Sequence, residues 1–90
     1  MDWSVYIILC SDNSLYTGIT NDLERRFQQH ASKKGAKYFR GRKPVSIVYV
    51  EEGHDKSSAS KREYKIKQLS KVEKEKLLLS YHKVVNASSH

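Results

Sequence analysis

Two short stretches near the amino terminus most constrain the fold of this chain, because both are rich in apolar, β-branched and aromatic residues. Trp3–Cys10 and Leu15–Ile19 have the composition of β-strands. The four residues between them, Ser-Asp-Asn-Ser, favour a tight turn. The two stretches therefore predict an antiparallel hairpin. Gly18 lies inside the second strand, where a glycine often marks the close approach of another backbone or of a ligand.

A helix and a third strand are predicted after the hairpin. The helix covers Asp22–Ser32 and is capped by Thr20 or Asn21, and Asn21 with Glu24 resembles a capping box. The nearly continuous apolar run Val45–Val50 predicts a strand at the centre of a small sheet. The Glu-Glu-Gly-His that follows it predicts a loop.

Two further helices are predicted in the rest of the chain. Asp55 caps a helix that runs to about Leu69, and Ser70 forms a capping box with Glu73 for a third helix that ends near Tyr81. The element order is therefore β-β-α-β-α-α. The fold class is α/β in the loose sense (α+β), with a small mixed or antiparallel sheet covered by helices.

Length and charge limit the architecture and the partners. Ninety residues fit a single domain, predicted over residues 1–82, with residues 83–90 as a disordered tail. The formal net charge of +7 predicts an anionic partner, with nucleic acid ahead of an anionic membrane surface. No apolar run approaches the roughly 20 residues of a spanning helix and no signal peptide is recognisable, so we expect a cytoplasmic protein without a membrane partner. The single cysteine, Cys10, ends an apolar run, which favours a small buried hydrophobe over a redox-active thiol.

A basic segment follows the first predicted helix. Eight lysines and arginines, and no acid, lie from Arg25 through Val50, and six of the eight follow the helix. The candidate nucleic-acid-binding residues are Lys33, Lys34, Lys37, Arg40, Arg42 and Lys43, together with Gly18. Their charge suits phosphates, and the aromatic residues Tyr38 and Phe39 among them can stack on bases.

Two tyrosines and one glutamate are candidates for chemistry. Tyr6 and Tyr16 lie on adjacent predicted strands, where cross-strand neighbours approach closely, either as an active pair or as packed aromatics. Glu63 lies in a predicted helix otherwise rich in lysine and arginine. It is either a solvated salt-bridge partner or a ligand of Mg²⁺, which binds through one or two carboxylates, water and substrate phosphates.

The first predicted helix places three polar residues on one face. Asp22, Arg26 and His30 are spaced four residues apart. The planar fork of an arginine suits a phosphate, and a histidine can carry a proton near neutral pH. The alternatives are a surface ion pair between Asp22 and Arg26, and a histidine that simply meets the helix dipole.

These residues resemble the motifs of the GIY-YIG nuclease superfamily. The Ser-Val-Tyr ending at Tyr6 and the Tyr-Thr-Gly beginning at Tyr16 resemble its paired signature, and residues 21–30 resemble the helix that follows. Glu63 stands in the place of the superfamily's metal-binding glutamate. The resemblance covers roughly residues 3–80 and is strongest to the small stand-alone bacterial subgroup. Serine and threonine replace a glycine and an isoleucine of the signatures, and the only later asparagine, Asn86, lies in the predicted tail and receives no role.

The resemblance implies a GIY-YIG-like fold with a three-stranded sheet. It also implies a metal-dependent endonuclease that hydrolyses DNA phosphodiester bonds, with selectivity for DNA structure and a role in DNA repair or processing. The implied cofactor is Mg²⁺ or Mn²⁺, with Glu63 as metal ligand. The implied catalytic residues are Tyr6, Tyr16, Arg26, His30 and Glu63. A non-catalytic nucleic-acid-binding module, or a subunit of a larger nuclease complex whose protein partner supplies targeting, is the alternative, and RNA in place of DNA stays open.

Overall fold

The secondary structure follows the predicted order. The computed structural model describes the backbone of residues 2–32 and 42–88 and the side chains as far as Ser80. The elements are β1 (Trp3–Cys10), β2 (Leu15–Thr20), α1 (Leu23–Ala31), β3 (Pro44–His54), α2 (Lys56–Gln68) and α3 (Lys71–Ser88). The α+β class and the β-β-α-β-α-α order are therefore confirmed. The helix α3 continues past its predicted end near Tyr81, into the segment predicted as a tail.

The sheet is antiparallel throughout, with the strand order β2-β1-β3. The predicted hairpin is β1 and β2, and Asn13 in its turn adopts the left-handed conformation, with φ 66°. The prediction that Val45–Val50 forms the central strand is wrong, because β1 is central and β3 lies at an edge. Burial explains the difference: four successive residues, Val5 to Ile8, are buried, as a strand covered on both faces requires, whereas most of β3 is half-buried.

The third strand is longer than predicted. It runs to His54, so the loop predicted for residues 51–54 is wrong. Val5 pairs with Glu51 and Trp3 pairs with His54, so β1 continues to supply a backbone partner opposite these polar residues. Gly53 has φ +83° and lies where the pairing register shifts, which accounts for the loop-like sequence inside a strand.

One of the three predicted helix caps is wrong. The cap of α1 is Asp22, whose carboxylate accepts the Arg25 N–H at 3.2 Å. Thr20 still belongs to β2, and its hydroxyl accepts the Asp22 N–H at 3.0 Å, which places the aspartate and not Asn21 at the helix start. The caps of α2 and α3 are as predicted. Asp55 and Ser58 bond reciprocally, as do Ser70 and Glu73.

The two faces of the sheet carry separate apolar clusters. Val5 and Ile7 pack with Ala59 and Ile66 of α2 and with leucines of α3. Tyr6, Ile8 and Cys10 point to the opposite face, where Leu23 and Phe27 of α1 cover them. The sheet therefore has α1 on one side and α2 and α3 on the other. Within the described part of the chain, no helix is both long and apolar enough to span a membrane.

Burial also accounts for Cys10. The residue is 1% exposed, and burial raises the pKa of its thiol above the usual value. A buried thiol with a raised pKa is a poor nucleophile. The interpretation of Cys10 as a small buried hydrophobe is confirmed.

Candidate active site

Strand register places the two tyrosines side by side. Tyr6 pairs with Gly18 and Tyr16 pairs with Ile8, so the two phenols are diagonal neighbours on the α1 face of the sheet. Their ring centroids are 6.2 Å apart. A Cβ atom on Gly18 would lie 2.5 Å from Tyr6 Oη and 2.7 Å from Cζ. The close approach that the glycine indicated is therefore that of the Tyr6 ring, and contact between Gly18 and nucleic acid stays a prediction.

The first helix adds a buried histidine to the pair. His30 is fully buried, and its Nε2 lies 2.9 Å from Tyr6 Oη. The centroid of its ring is 6.2 Å from that of Tyr6 and 5.2 Å from that of Tyr16, the second contact being edge-on. These three residues, Tyr6, Tyr16 and His30, are called the ring cluster below. His30 is not the exposed helix-terminal cation that the sequence left open.

Burial sets the protonation of the ring cluster. Burial, and after it the charge of the neighbouring Arg26, lowers the pKa of His30 to about 4. Burial, followed by the effect of Tyr16, raises the pKa of Tyr6 to about 12. Near neutral pH a neutral Tyr6 hydroxyl and an unprotonated His30 therefore share the hydrogen bond between Oη and Nε2, and the His30 tautomer sets which of them donates. This arrangement favours a positioning role for Tyr6, because its ionised form is strongly disfavoured.

An arginine borders the ring cluster on the same helix. The positive charge of Arg26 acts to lower the pKa of Tyr6, against the larger effect of burial, and it also lowers the pKa of His30. Arg26 lies one helical turn before His30, which brings the two side chains close together. Arg26 donates to Gln29 Oε1 at 3.2 Å, and its Nε is buried without a hydrogen-bond partner among the described residues. No ion pair joins it to Asp22 in that part of the chain, so the surface-pair alternative is wrong. The Arg26 fork thus retains capacity for an anion.

The predicted metal-binding glutamate approaches from the other helical layer. Glu63, on α2, has a side chain 24% exposed, and Lys67 Nζ lies 3.4 Å from its Oε2. Its negative charge contributes to the raised pKa of Tyr6, which requires it to lie near the ring cluster. The predicted salt-bridge role is therefore present. Among the described residues no group of three His, Cys, Asp or Glu is arranged around a metal site, so Glu63 offers a single carboxylate.

Only two of the basic candidates can be placed. Lys33, Lys34, Lys37 and Arg40 lie outside the described residues. Arg42 pairs with Asp12 at 3.0 Å, and Lys43 is exposed. Both residues line a cavity of about 310 Å³ together with His30. The described end of the basic segment therefore borders the ring cluster.

A polar network that the sequence did not predict lies on the opposite side of the sheet. Glu51 accepts from Tyr49 Oη at 2.7 Å and from Arg62 Nε at 3.1 Å, and His54 Nε2 lies 2.7 Å away. Burial alone would raise the pKa of Glu51, but these three partners hold it below its usual value. The network ties β3 to α2, the helix that carries Glu63. The sequence does not indicate this network, because the Glu-Glu-Gly-His that begins at Glu51 predicts a loop.

The fold and the ring cluster together define a small α+β domain of the GIY-YIG class. Residues 2–76 match the family model described as the GIY-YIG catalytic domain. The chain therefore belongs to the GIY-YIG family, whose superfamily is made of endonucleases.

Within this family, the chain is similar to proteins of the UPF0213 group. The chain is 51% identical over 86 residues to a UPF0213 protein of Desulfotalea psychrophila, covering 94% of this chain and 78% of that protein. It is 50% identical over 76 residues to the UPF0213 protein YhbQ of Escherichia coli, covering 84% and 76%. The solution NMR structure of the UPF0213 protein BH0048 from Bacillus halodurans has a TM-score of 0.56 and 47% identity over 87% of this chain and 83% of its own. That of the protein EF2693 from E. faecalis has a TM-score of 0.60 and 39% identity, covering 88% and 84%.

Proposed function

We propose that this protein is a metal-dependent endonuclease that hydrolyses phosphodiester bonds in DNA and selects its substrate by DNA structure. The observation that carries the proposal is the ring cluster, in which Tyr6, Tyr16 and His30 lie within 6.2 Å of one another beside the Arg26 guanidinium. Packing alone does not require two phenols and an imidazole beside a partly buried arginine. A role in DNA repair or processing is part of the proposal.

Arg26 binds the target phosphate. Its planar fork matches two phosphate oxygens, and its partial burial strengthens the interaction relative to open water. Charge that accumulates on a non-bridging oxygen in the transition state is stabilised by a guanidinium already held in place by Gln29.

Tyr16 is the phenol that contacts the attacking water. It is half-buried, whereas Tyr6 is 1% exposed. Tyr16 orients the water through its hydroxyl, and His30, whose ring packs edge-on against Tyr16, fixes the position of that ring. Tyr6 holds His30 through the hydrogen bond to Nε2.

Glu63 fits a hard divalent cation such as Mg²⁺ or Mn²⁺. Its carboxylate is partly exposed and, among the described residues, its ion pair is with the exposed Lys67, so the carboxylate can exchange that partner for a cation. A metal ion bound there, together with substrate oxygens and water, supplies polarisation of the phosphate and neutralises charge on the leaving oxygen.

The basic residues around the ring cluster bind the flanking phosphates. Arg42 and Lys43 are placed for this beside His30. Contacts to phosphates fix position but carry no sequence information, so selectivity is for the shape of the DNA.

The test is cleavage of labelled branched, flapped, nicked, single-stranded and duplex DNA with Mg²⁺ or Mn²⁺. Wild type should cut at least one of these substrates, and Glu63→Ala and Tyr16→Phe should each abolish cutting while DNA is still bound. Glu75→Ala and Tyr64→Phe are the matched controls, because both side chains are exposed and lie outside the ring cluster. Salt-sensitive binding without cutting under every condition would refute the proposal in favour of a binding module or of a subunit that needs a partner.

A further inference from the structure

One end of the sheet gathers the starts of two helices around a tryptophan. Ser4 pairs with Thr20 and Trp3 pairs with His54, so β1 begins where β2 and β3 end. The helices α1 and α2 start immediately after those two strands, and their amino termini therefore share this end. Between them lies a cavity of about 380 Å³. The residues that line it include Trp3, Asp22, Arg25, Arg26 and Lys56.

The charge of this cavity suits a phosphate. Three cations, Arg25, Arg26 and Lys56, face one carboxylate, that of Asp22, which is already engaged with the Arg25 backbone N–H. Neither the Arg25 guanidinium nor the Lys56 ammonium joins an ion pair with any residue that the structure describes. The positive ends of two helix dipoles add to the same field.

The apolar wall of the cavity suits a base. The Lys56 ammonium lies 5.6 Å from the centroid of the half-buried Trp3 ring. A base that stacks on this indole replaces one weak contact, and it frees the lysine to meet the phosphate of the same nucleotide. The cavity lies within the range of roughly 300–1,000 Å³ typical of small-molecule sites.

We propose that this cavity is a subsite for the nucleotide next to the scissile phosphate, with its base on Trp3 and its phosphate on Arg25 and Lys56. Arg26 links the two places, since it lines the cavity and also acts on the ring cluster. A phosphate bound by Arg26 leaves the adjoining nucleotide at the mouth of the cavity. The subsite rests on the proposed function in this one respect, that Arg26 binds the phosphate to be cut.

Trp3 is the only tryptophan, so it reports directly on its own occupancy. Full-length protein is titrated in EDTA with a short oligothymidylate, and binding is followed by the anisotropy of a label on the DNA. Tryptophan fluorescence should be quenched in proportion to binding. Trp3→Ala should weaken binding by about ten-fold, and Trp3→Phe, which keeps an aromatic platform, should restore most of it. An oligonucleotide of the same length built from abasic sites should bind without quenching.

The matched pair on α2 is Lys56→Gln and Lys61→Gln, each of which removes one exposed lysine charge. Lys56→Gln should weaken binding several-fold more than Lys61→Gln. Saturating binding with unchanged tryptophan fluorescence would overturn the subsite and leave the endonuclease proposal untouched. Quenching with no cleavage in any metal would keep the nucleotide site and overturn the endonuclease. Circular dichroism of Trp3→Ala and Trp3→Phe separates lost stacking from lost folding.

Discussion

The buried histidine of the ring cluster predicts how stability depends on pH. In the folded protein the pKa of His30 is about 4, because burial disfavours the charged ring, whereas its ordinary value is 6.5. Between these two values the unfolded chain binds a proton that the folded chain does not. The stability that the neutral His30 contributes to the folded protein is therefore fully present above pH 6.5 and is lost as the pH falls toward 4. A protonated His30 can only donate in its hydrogen bond with Tyr6 Oη.

The size of this effect follows from the two pKa values. At about 1.36 kcal/mol per pKa unit, the difference between the unfolded and folded pKa values of His30 corresponds to a maximum loss of about 3 kcal/mol in the free energy of unfolding. Between pH 7.5 and pH 4.5 the expected loss in the free energy of unfolding from this group is about 2.5 kcal/mol. That is a large fraction of the ~5–15 kcal/mol that stabilises a typical domain.

Urea unfolding followed by circular dichroism at these two pH values measures the loss. His30→Gln removes the titration but keeps a hydrogen-bond acceptor for Tyr6, so it should lose about 2.5 kcal/mol less than wild type over this interval. His54→Gln is the control, since it changes another histidine and should keep the wild-type difference due to His30. The carboxylates titrate alike in wild type and His30→Gln, so their contribution cancels in that comparison, whereas His54→Gln also removes a partner that lowers the pKa of Glu51. Equal losses in wild type and His30→Gln would refute the conclusion that His30 is folded in its neutral form.

Three further predictions follow from single contacts. Gly18→Ala should destabilise the fold by about 1–3 kcal/mol in urea unfolding, because the added Cβ displaces Tyr6. For the same reason it should lower DNA cleavage by more than the fraction of protein that is unfolded in the assay. Lys67→Gln should lower the Mg²⁺ concentration needed for half-maximal cleavage, because it removes the cation that competes for Glu63, and an unchanged requirement would contradict the metal role. Ile66→Ala should lower the free energy of unfolding by about 2–5 kcal/mol, since this side chain of α2 is fully buried against the sheet. A near-neutral effect in urea unfolding would contradict that packing.

The element order could be predicted because each element carries its own local signal. The hairpin, the caps at Asp55 and Ser70 and the apolar strand Val45–Val50 are all encoded within a few neighbouring residues. The place of a strand in the sheet is not local. Whether Val45–Val50 lies at the centre or the edge depends on which strands flank it, and an apolar run looks the same in both positions.

The sequence could predict which residues form the candidate site, but not how deeply they are buried or how they are protonated. Spacing predicted that Arg26 and His30 share a face, and register then brings Tyr6 and Tyr16 to that face. The burial that sets the protonation of His30 and Tyr6 comes from the packing of α1 on the sheet, and no short sequence window contains it. The same limit hid the network around Glu51, whose partners come from two elements.

The ring cluster is part of both the candidate site and the core. A mutation in it can therefore lower cleavage either by removing a chemical group or by destabilising the fold. Tyr6 packs with Ile8 and Cys10 in the cluster under α1, so any change at Tyr6 alters stability as well as chemistry. Tyr16 lies at the margin of the same cluster and is half-buried, so a change there disturbs packing less. Loss of cleavage in Tyr6→Phe therefore identifies a positioning residue only after its loss of stability has been subtracted. Loss of cleavage in Tyr16→Phe with unchanged unfolding is the result that assigns chemistry to a phenol.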